Sequence, residues 1–188
     1  EFVEWHREHG AWLAVAYAGG RSSEAMARSV DQHRLPPPVA LIAHAGTDIR
    51  WYPELTRLDE WPVGPTRDWD RDRVVLALED ITGLHLQTTD DQSEYKVSYE
   101  LPNARPGQLK MIRDFLDESG LSADVSYGGR RQLDVVPRGI NKGSATRYLA
   151  EALEFEPDHV LVSGSSEHDV DLFRPEFRGI AVAGGDDT

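Results

Sequence analysis

What most constrains this chain is a set of short apolar runs, each leading into glycine. Ala11–Ala18 is closed by Gly19-Gly20, Val39–Ala43 runs out at Gly46, and His159–Ser163 at Gly164. A run this short, apolar throughout rather than at every second position, reads as a strand covered on both faces. Such strands belong to parallel sheets flanked by helices. Between the first two runs, Ser22 and Ser23 precede Ala25, Met26, Ser29 and Val30 at helical spacing, and Pro36-Pro37-Pro38 stops the helix. Strand, glycine turn, serine-capped helix, proline break and strand make a βαβ unit. Further helices are expected over Glu1–His9, Lys142–Phe155 and, shorter, Glu167–Phe173, with a fourth strand over Gly179–Ala183. No capping residue stands ahead of Glu1, and the chain stops at Thr188 soon after that last strand, so both ends read as cut.

The middle of the chain has another texture. Arg50–Pro65, rich in Trp, Pro, Asp and Arg, reads as a linker or hairpin. Val74, Val75, Leu78 and Ile81 mark one helix face, and Leu109, Ile112, Phe115 and Leu116 a second, ending at Gly120. Short strands are expected over Leu84–Gln87, Tyr95–Leu101, Asp124–Tyr127 and Gln132–Val136. Together they form an antiparallel α+β module inserted into the parallel domain. The predicted organisation is α/β: a parallel-sheet core from residues 1–62 and 133–188, with an α+β cap over 63–132.

Composition excludes several functions. With 20 basic and 33 acidic residues the formal charge is −13, which leaves no basic face for nucleic acid. Cysteine is absent, removing disulfides, thiolate nucleophiles and Cys-based metal sites. No apolar run is long enough to span a bilayer and no secretory leader opens the chain, so a cytoplasmic protein without nucleic-acid or membrane partners is expected. His6, His9, His33, His44, His85 and His159 lack metal-ligand spacing and read as surface or core residues. Asp68, Asp70 and Asp72, alternating with Arg67, Arg71 and Arg73, read as a solvated helix start.

In open parallel sheets ligands bind beyond the carboxyl ends of the strands. That places the candidate site at Gly19-Gly20-Arg21-Ser22, Gly46-Thr47-Asp48, Asn141-Lys142-Gly143 and Gly164–Asp169. Glycines there let backbone N–H groups approach an anion, and helix starts add partial positive charge.

Six stretches carry a resemblance: Tyr17-Ala-Gly-Gly-Arg-Ser22, Ala45-Gly-Thr-Asp-Ile49, Lys96-Val-Ser-Tyr99, Leu133-Asp-Val-Val-Pro137, Asn141-Lys-Gly-Ser-Ala145 and Gly164-Ser-Ser-Glu-His-Asp-Val-Asp-Leu-Phe173. In this order and spacing the chain resembles the haloacid-dehalogenase phosphatases, and among them the sucrose-phosphate phosphatase group. The resemblance implies an aspartyl-phosphate mechanism: a D-x-D motif on the first strand supplies nucleophile and acid–base, a Thr or Ser and a Lys hold the phosphoryl oxygens, and Mg²⁺ neutralises charge. It implies Lys142 as the phosphate-binding lysine and Gly19, Gly20, Arg21, Thr47, Asp48, Lys96, Ser98 and Asn141 as substrate-binding positions. Asp169 and a degenerate Ser165 would stand at the metal.

This sequence departs from the family pattern in three places. The D-x-D strand would precede Glu1, so the nucleophile is absent from these residues. Gly19 stands where the family has a hydroxyl, and Ser165 where it has an acid. The expectation is a sucrose-phosphatase-like hydrolase domain acting on or binding a sugar phosphate of the sucrose 6-phosphate class, or binding sucrose, catalytically impaired in this chain and with magnesium binding weak or lost. The alternative is a non-catalytic sugar-binding or regulatory domain associated with a sucrose-phosphate synthase.

Overall fold

A computed structural model of the chain describes residues 2–62 and 68–182. The expected boundary at 62/63, together with Glu1, Arg67 and Ala183, borders on or lies outside that range.

The first part of the core is α1 (Phe2–His9), a 3₁₀ turn (Gly10–Trp12), β1 (Ala16–Ala18), α2 (Ser23–His33), β2 (Ala40–Ala43), β3 (Asp48–Trp51) and β4 (Thr56–Arg57). β1 and β2 are parallel, in register Ala16↔Ala40 to Ala18↔Ile42, and β2, β3 and β4 continue antiparallel, so the Arg50–Pro65 region opens with a hairpin. α2 is capped by Ser22, whose Oγ accepts from Ala25 N, and ends at Arg34 in the left-handed region. The strand expected over Ala11–Ala18 shrinks to its last residues, and Trp12 is 88% exposed. The register explains why. Continued backwards, it sets Trp12–Ala14 against Pro36–Pro38, which have no N–H to give to a ladder.

The inserted module contains α3 (Arg71–Leu78), β5 (His85–Leu86), β6 (Val97–Glu100), α4 (Pro106–Glu118), β7 (Ala123–Gly128) and β8 (Gln132–Pro137). Its strands form an antiparallel sheet in the order β5-β6-β8-β7. Period-two alternation sorts the side chains. Val97, Tyr99, Leu133 and Val135 point towards α3 and α4, where Val74, Leu78, Ile112 and Leu116 complete a dry core. Lys96, Ser98, Gln132, Asp134 and Ser126 occupy the other face. The expected boundary at Leu133 falls inside β8, whose full length pairs with β7, so the cap sheet runs to Pro137.

The core resumes with α5 (Lys142–Ala152), β9 (Leu161–Gly164), a 3₁₀ segment (Glu167–Leu172) and β10 (Arg178–Ala181). β9 and β10 are parallel, in register Leu161↔Arg178. Among the described residues the parallel strands thus form two pairs rather than one sheet. α5 joins them. Ala145 and Leu149 pack on Ala40, Ile42, Ile49 and Trp61, while at Gly143 the helix lies so close to the Asp171 carbonyl that no Cβ fits. β9 is covered on one face only: Val162 is buried with Leu172 and Phe177, whereas Leu161 is 63% exposed.

Candidate functional site

Between the polar face of the cap sheet and the loops of the core lies a cleft of about 1030 Å³. One wall is the turn after β1. Here every carbonyl is spoken for: Gly19 O accepts from Ala45 N (2.9 Å), Arg21 O from His44 N (2.9 Å), and Gly20 O from Lys96 Nζ (3.0 Å). The amides of Gly20, Arg21 and Ser22 have no protein acceptor among the described residues, and they open the N-terminus of α2. Carbonyls turned inward and free N–H groups at a helix start form an anion-binding concavity.

The opposing wall is the start of α5. Asn141 caps the helix: its Oδ1 accepts from Ser144 N (2.8 Å), while its own N–H donates to Ser144 Oγ (2.9 Å). The next residue, Lys142, is 7% exposed, and its ammonium donates to Asp169 Oδ1 at 2.7 Å. The second oxygen of Asp169 accepts from Ser165 N (3.2 Å), Ser166 N (3.1 Å) and Ser166 Oγ (2.9 Å). Burial pushes the Asp169 carboxyl up, but the Lys142 hydrogen bond and charge and the serine donors outweigh it and hold the group below the usual aspartate range. Asp171, on the same 3₁₀ segment, goes the other way: burial, then the nearby Asp124 carboxylate, raise it.

The cap contributes Gln132 and Asp134. Asp134, 1% exposed, accepts from Ser98 Oγ at 2.6 Å and from Gln132 Nε2 at 3.1 Å. A Cβ on Gly20 would lie 3.8 Å from Gln132 Nε2 and 4.0 Å from Asp134 Oδ2, so this polar pair sits directly against the β1 turn. Across the cleft, Ser126 Oγ is 3.2 Å from His168 Nδ1, and the His168 ring rests on Gly128 so tightly that a side chain there would collide.

The predicted positions fall into two groups. Gly20, Arg21, Asn141 and Lys142 line the cleft. The others support it. Thr47 is buried and its hydroxyl donates to His44 O; Asp48 accepts both bonds of Arg50 Nε at 2.9 Å; a Cβ on Gly19 would lie 3.3 Å from the Met26 side chain; Lys96 and Ser98 are fully buried behind the cap face. Ser165 and Asp169 are neighbours, as expected. Yet with both Asp169 oxygens engaged and Ser165 neutral, the residues present do not by themselves form a magnesium site, whose octahedral shell needs free carboxylate oxygens. His168 falls within the expected Gly164–Asp169 stretch, whereas Gln132 and Ser126 went unassigned in the sequence. The alternation along β7 and β8 signals which face they occupy, but nothing local signals that the face meets the core.

A family model for sucrose-6F-phosphate phosphohydrolase matches residues 1–188. The chain is 27% identical over 184 residues to sucrose-phosphatase 2 of Nicotiana tabacum, covering 95% of this chain and 43% of that protein. It is 30% identical over 152 residues to probable sucrose-phosphatase 3b of Arabidopsis thaliana, covering 78% and 36%. A glucosylglycerol-phosphate synthase of Pseudomonas anguilliseptica is 26% identical over 170 residues, which are 90% of this chain and 22% of the synthase. The chain thus spans less than half the length of these relatives. Among solved structures, the sucrose-phosphatase of Synechocystis sp. PCC6803, in complex with sucrose and phosphate, superposes with a TM-score of 0.89 at 28% identity, covering 98% of this chain and 76% of that one. A haloacid dehalogenase-like hydrolase from Bacteroides thetaiotaomicron, 15% identical with a TM-score of 0.65, shares the fold. With a turn of free amides and a buried lysine lining one cleft under the cap, and with the family model spanning every residue, this chain belongs to the sucrose-6F-phosphate phosphohydrolase family of haloacid dehalogenase-like hydrolases.

Proposed function

We propose that this chain binds a sugar phosphate of the sucrose 6-phosphate class in the cleft between core and cap, and that the residues present hold this ligand without hydrolysing it. One observation carries the reading: Gly20 and Arg21, whose amides have no protein acceptor among the described residues, line the same cleft as Lys142 and the polar groups of the cap. A phosphoryl group takes the amides and the lysine; hydroxyls take Gln132 and Asp134. The sucrose-phosphatase of Synechocystis, solved with sucrose and phosphate, supports that choice of ligand. The cytoplasmic setting expected from the sequence is part of the same proposal.

Impairment follows from charge. A carboxylate attacks a dianionic phosphoryl group only when cations neutralise the approach. Here Lys142 is the buried cation on the cleft wall, Ser165 adds no charge, and Asp169 is held by Lys142 and the serine donors rather than poised to attack. Calorimetric titration with sucrose 6-phosphate, inorganic phosphate and sucrose tests binding, and failure of all three at millimolar concentration overturns it. Phosphate release in magnesium but not in chelator, above a Lys142→Ala control, overturns the impairment.

A second reading, that the chain is a non-catalytic sugar-binding or regulatory domain of a sucrose-phosphate synthase-like protein, is supported by the glucosylglycerol-phosphate synthase relative, of which the matched stretch is 22%. Reading the DNA upstream of Glu1 separates the two. A glycosyltransferase frame favours the synthase, and a short frame encoding a D-x-D strand favours a phosphatase.

A further inference from the structure

The least expected group in the molecule is Lys96. It lies just before β6 in the cap, its side chain is 0% exposed, and it is absent from the cleft wall. Its ammonium donates across the domain boundary to the carbonyl of Gly20 at 3.0 Å and stands 3.7 Å from Asp134 Oδ1. Burying an ammonium costs several kcal/mol unless charge and hydrogen bonds offset it, so the arrangement is weak evidence of stability and calls for another role. The two partners suggest that role. Gly20 O is the middle carbonyl of the β1 turn, and the flanking ones are held by Ala45 N and His44 N. A peptide unit is planar, so the direction of Gly20 C=O sets the direction of the Arg21 N–H. With its carbonyl drawn into the cap by Lys96, the peptide turns that N–H the opposite way, where no protein acceptor meets it among the described residues. Asp134, the other partner, sits on the cap face beneath Gln132 and receives the Ser98 hydroxyl.

We infer that Lys96 is a positioning residue: it touches no ligand, but its buried ammonium orients the Gly20–Arg21 peptide for the phosphoryl group and ties that peptide to the Asp134 floor of the cap. The inference rests on the proposed ligand for the cleft. It makes anion binding at the β1 turn depend on the cap, because the group that aims the turn comes from the cap.

The test uses the full chain, labelled with ¹³C at glycine carbonyls and ¹⁵N at arginine. Only the Gly20–Arg21 and Gly129–Arg130 peptides then give a signal. In the unaltered chain, inorganic phosphate shifts the Arg21 signal and leaves Arg130 in place. The Lys96→Met/Asp134→Asn double variant removes both charges together, so that no carboxylate is left buried without its cation. In it the phosphate affinity read at Arg21 falls by about tenfold or more, the scale of one lost charge-assisted hydrogen bond. Lys110→Met, on the exposed side of α4, leaves the affinity within about threefold, below the scale of one such bond. A folded double variant that binds phosphate as tightly as the unaltered chain overturns the inference, because a purely structural lysine would lower the melting temperature without moving this affinity. A second measurement needs no variant. The buried Lys96 ammonium gives a ¹⁵N–¹H signal protected from solvent exchange, and saturating phosphate shifts it although no phosphate can reach it. An unmoved ammonium signal at saturation also overturns the inference. An Arg21 signal that never responds to phosphate in the unaltered chain refutes instead the proposed ligand of the cleft.

Discussion

Replacing Gly46 by alanine tests how the two walls of the cleft are held together. Gly46 follows β2 at φ +100°, the last of a left-handed run begun by His44 (φ 49°) and Ala45 (φ 61°). A Cβ there would lie 2.6 Å from Lys142 N and closer still to the carbonyl carbon and oxygen of Asn141, all backbone atoms of the α5 start. Two costs add. Holding a non-glycine residue in this region takes about 1–3 kcal/mol. Forcing a methyl against immovable backbone takes about 1–3 kcal/mol more. The expected loss is therefore about 2–6 kcal/mol, a large share of the roughly 5–15 kcal/mol that holds a domain folded. At about 2–4 °C per kcal/mol for a chain of this length, melting falls by roughly 5–20 °C. Urea denaturation followed by tryptophan fluorescence measures it, since Trp61 Nε1 donates to Gly46 O at 2.9 Å and reports on this loop. Gly107→Ala is the control. It lies in α4 with nothing within 4 Å of the new methyl, and is neutral to about 1 kcal/mol stabilising. A Gly46→Ala loss below about 1 kcal/mol with an unchanged denaturant slope would refute the reasoning.

Three more expectations follow from the same geometry. Lys142→Ala removes the buried cation of the cleft wall and should weaken phosphate binding by about tenfold to a hundredfold in calorimetry, the worth of a charge-assisted contact; unchanged affinity would exclude Lys142 from the anion site. The Asp169 carboxyl titrates below its ordinary 3.8, so its bond to Lys142 contributes fully above that value and is lost as pH falls through the lower folded one. The stability gap between the unaltered chain and Asp169→Asn should therefore be level near neutral pH and close only in acid. A gap that closes between pH 6 and 5, roughly one to two units above that range, would contradict the assignment. Ser98→Ala strips buried Asp134 of its 2.6 Å donor and should cost about 1–3 kcal/mol in urea denaturation, whereas a loss under about 0.5 kcal/mol would mean the bond carries little.

Much of the architecture was legible because local chemistry decides it. The Ser22 cap, the Pro36–Pro38 break and the apolar faces of α3 and α4 each act within a few residues, and periodicity reports them. The same holds for the lining residues Gly20 and Arg21, which come from the loop after β1, where a parallel unit puts its ligand, whereas Asn141 and Lys142 open α5 after the antiparallel cap strand β8. Strand lengths were less legible: nothing within Ala11–Ala18 shows that the partner strand begins only after three prolines, and that pairing stops β1 at Ala16.

Which residues face the ligand and which stand behind it was decided by tertiary structure alone. Lys96 and Gly20 are 76 positions apart, and Ser126 and His168 are 42 apart. Sequence showed a lysine and a serine on a cap strand, residue types that suit a sugar. The folded chain buries both and sets half-buried Gln132, with the almost fully buried Asp134 beside it, on the cleft wall instead. Which side of a strand is wet depends on what packs across from it, and that neighbour is supplied by a distant segment. The chain's own chemistry thus determined the elements and the turn that lines the cleft. The docking of cap on core determined which polar groups reach the cleft, because only there do charges so far apart in sequence share one dry space.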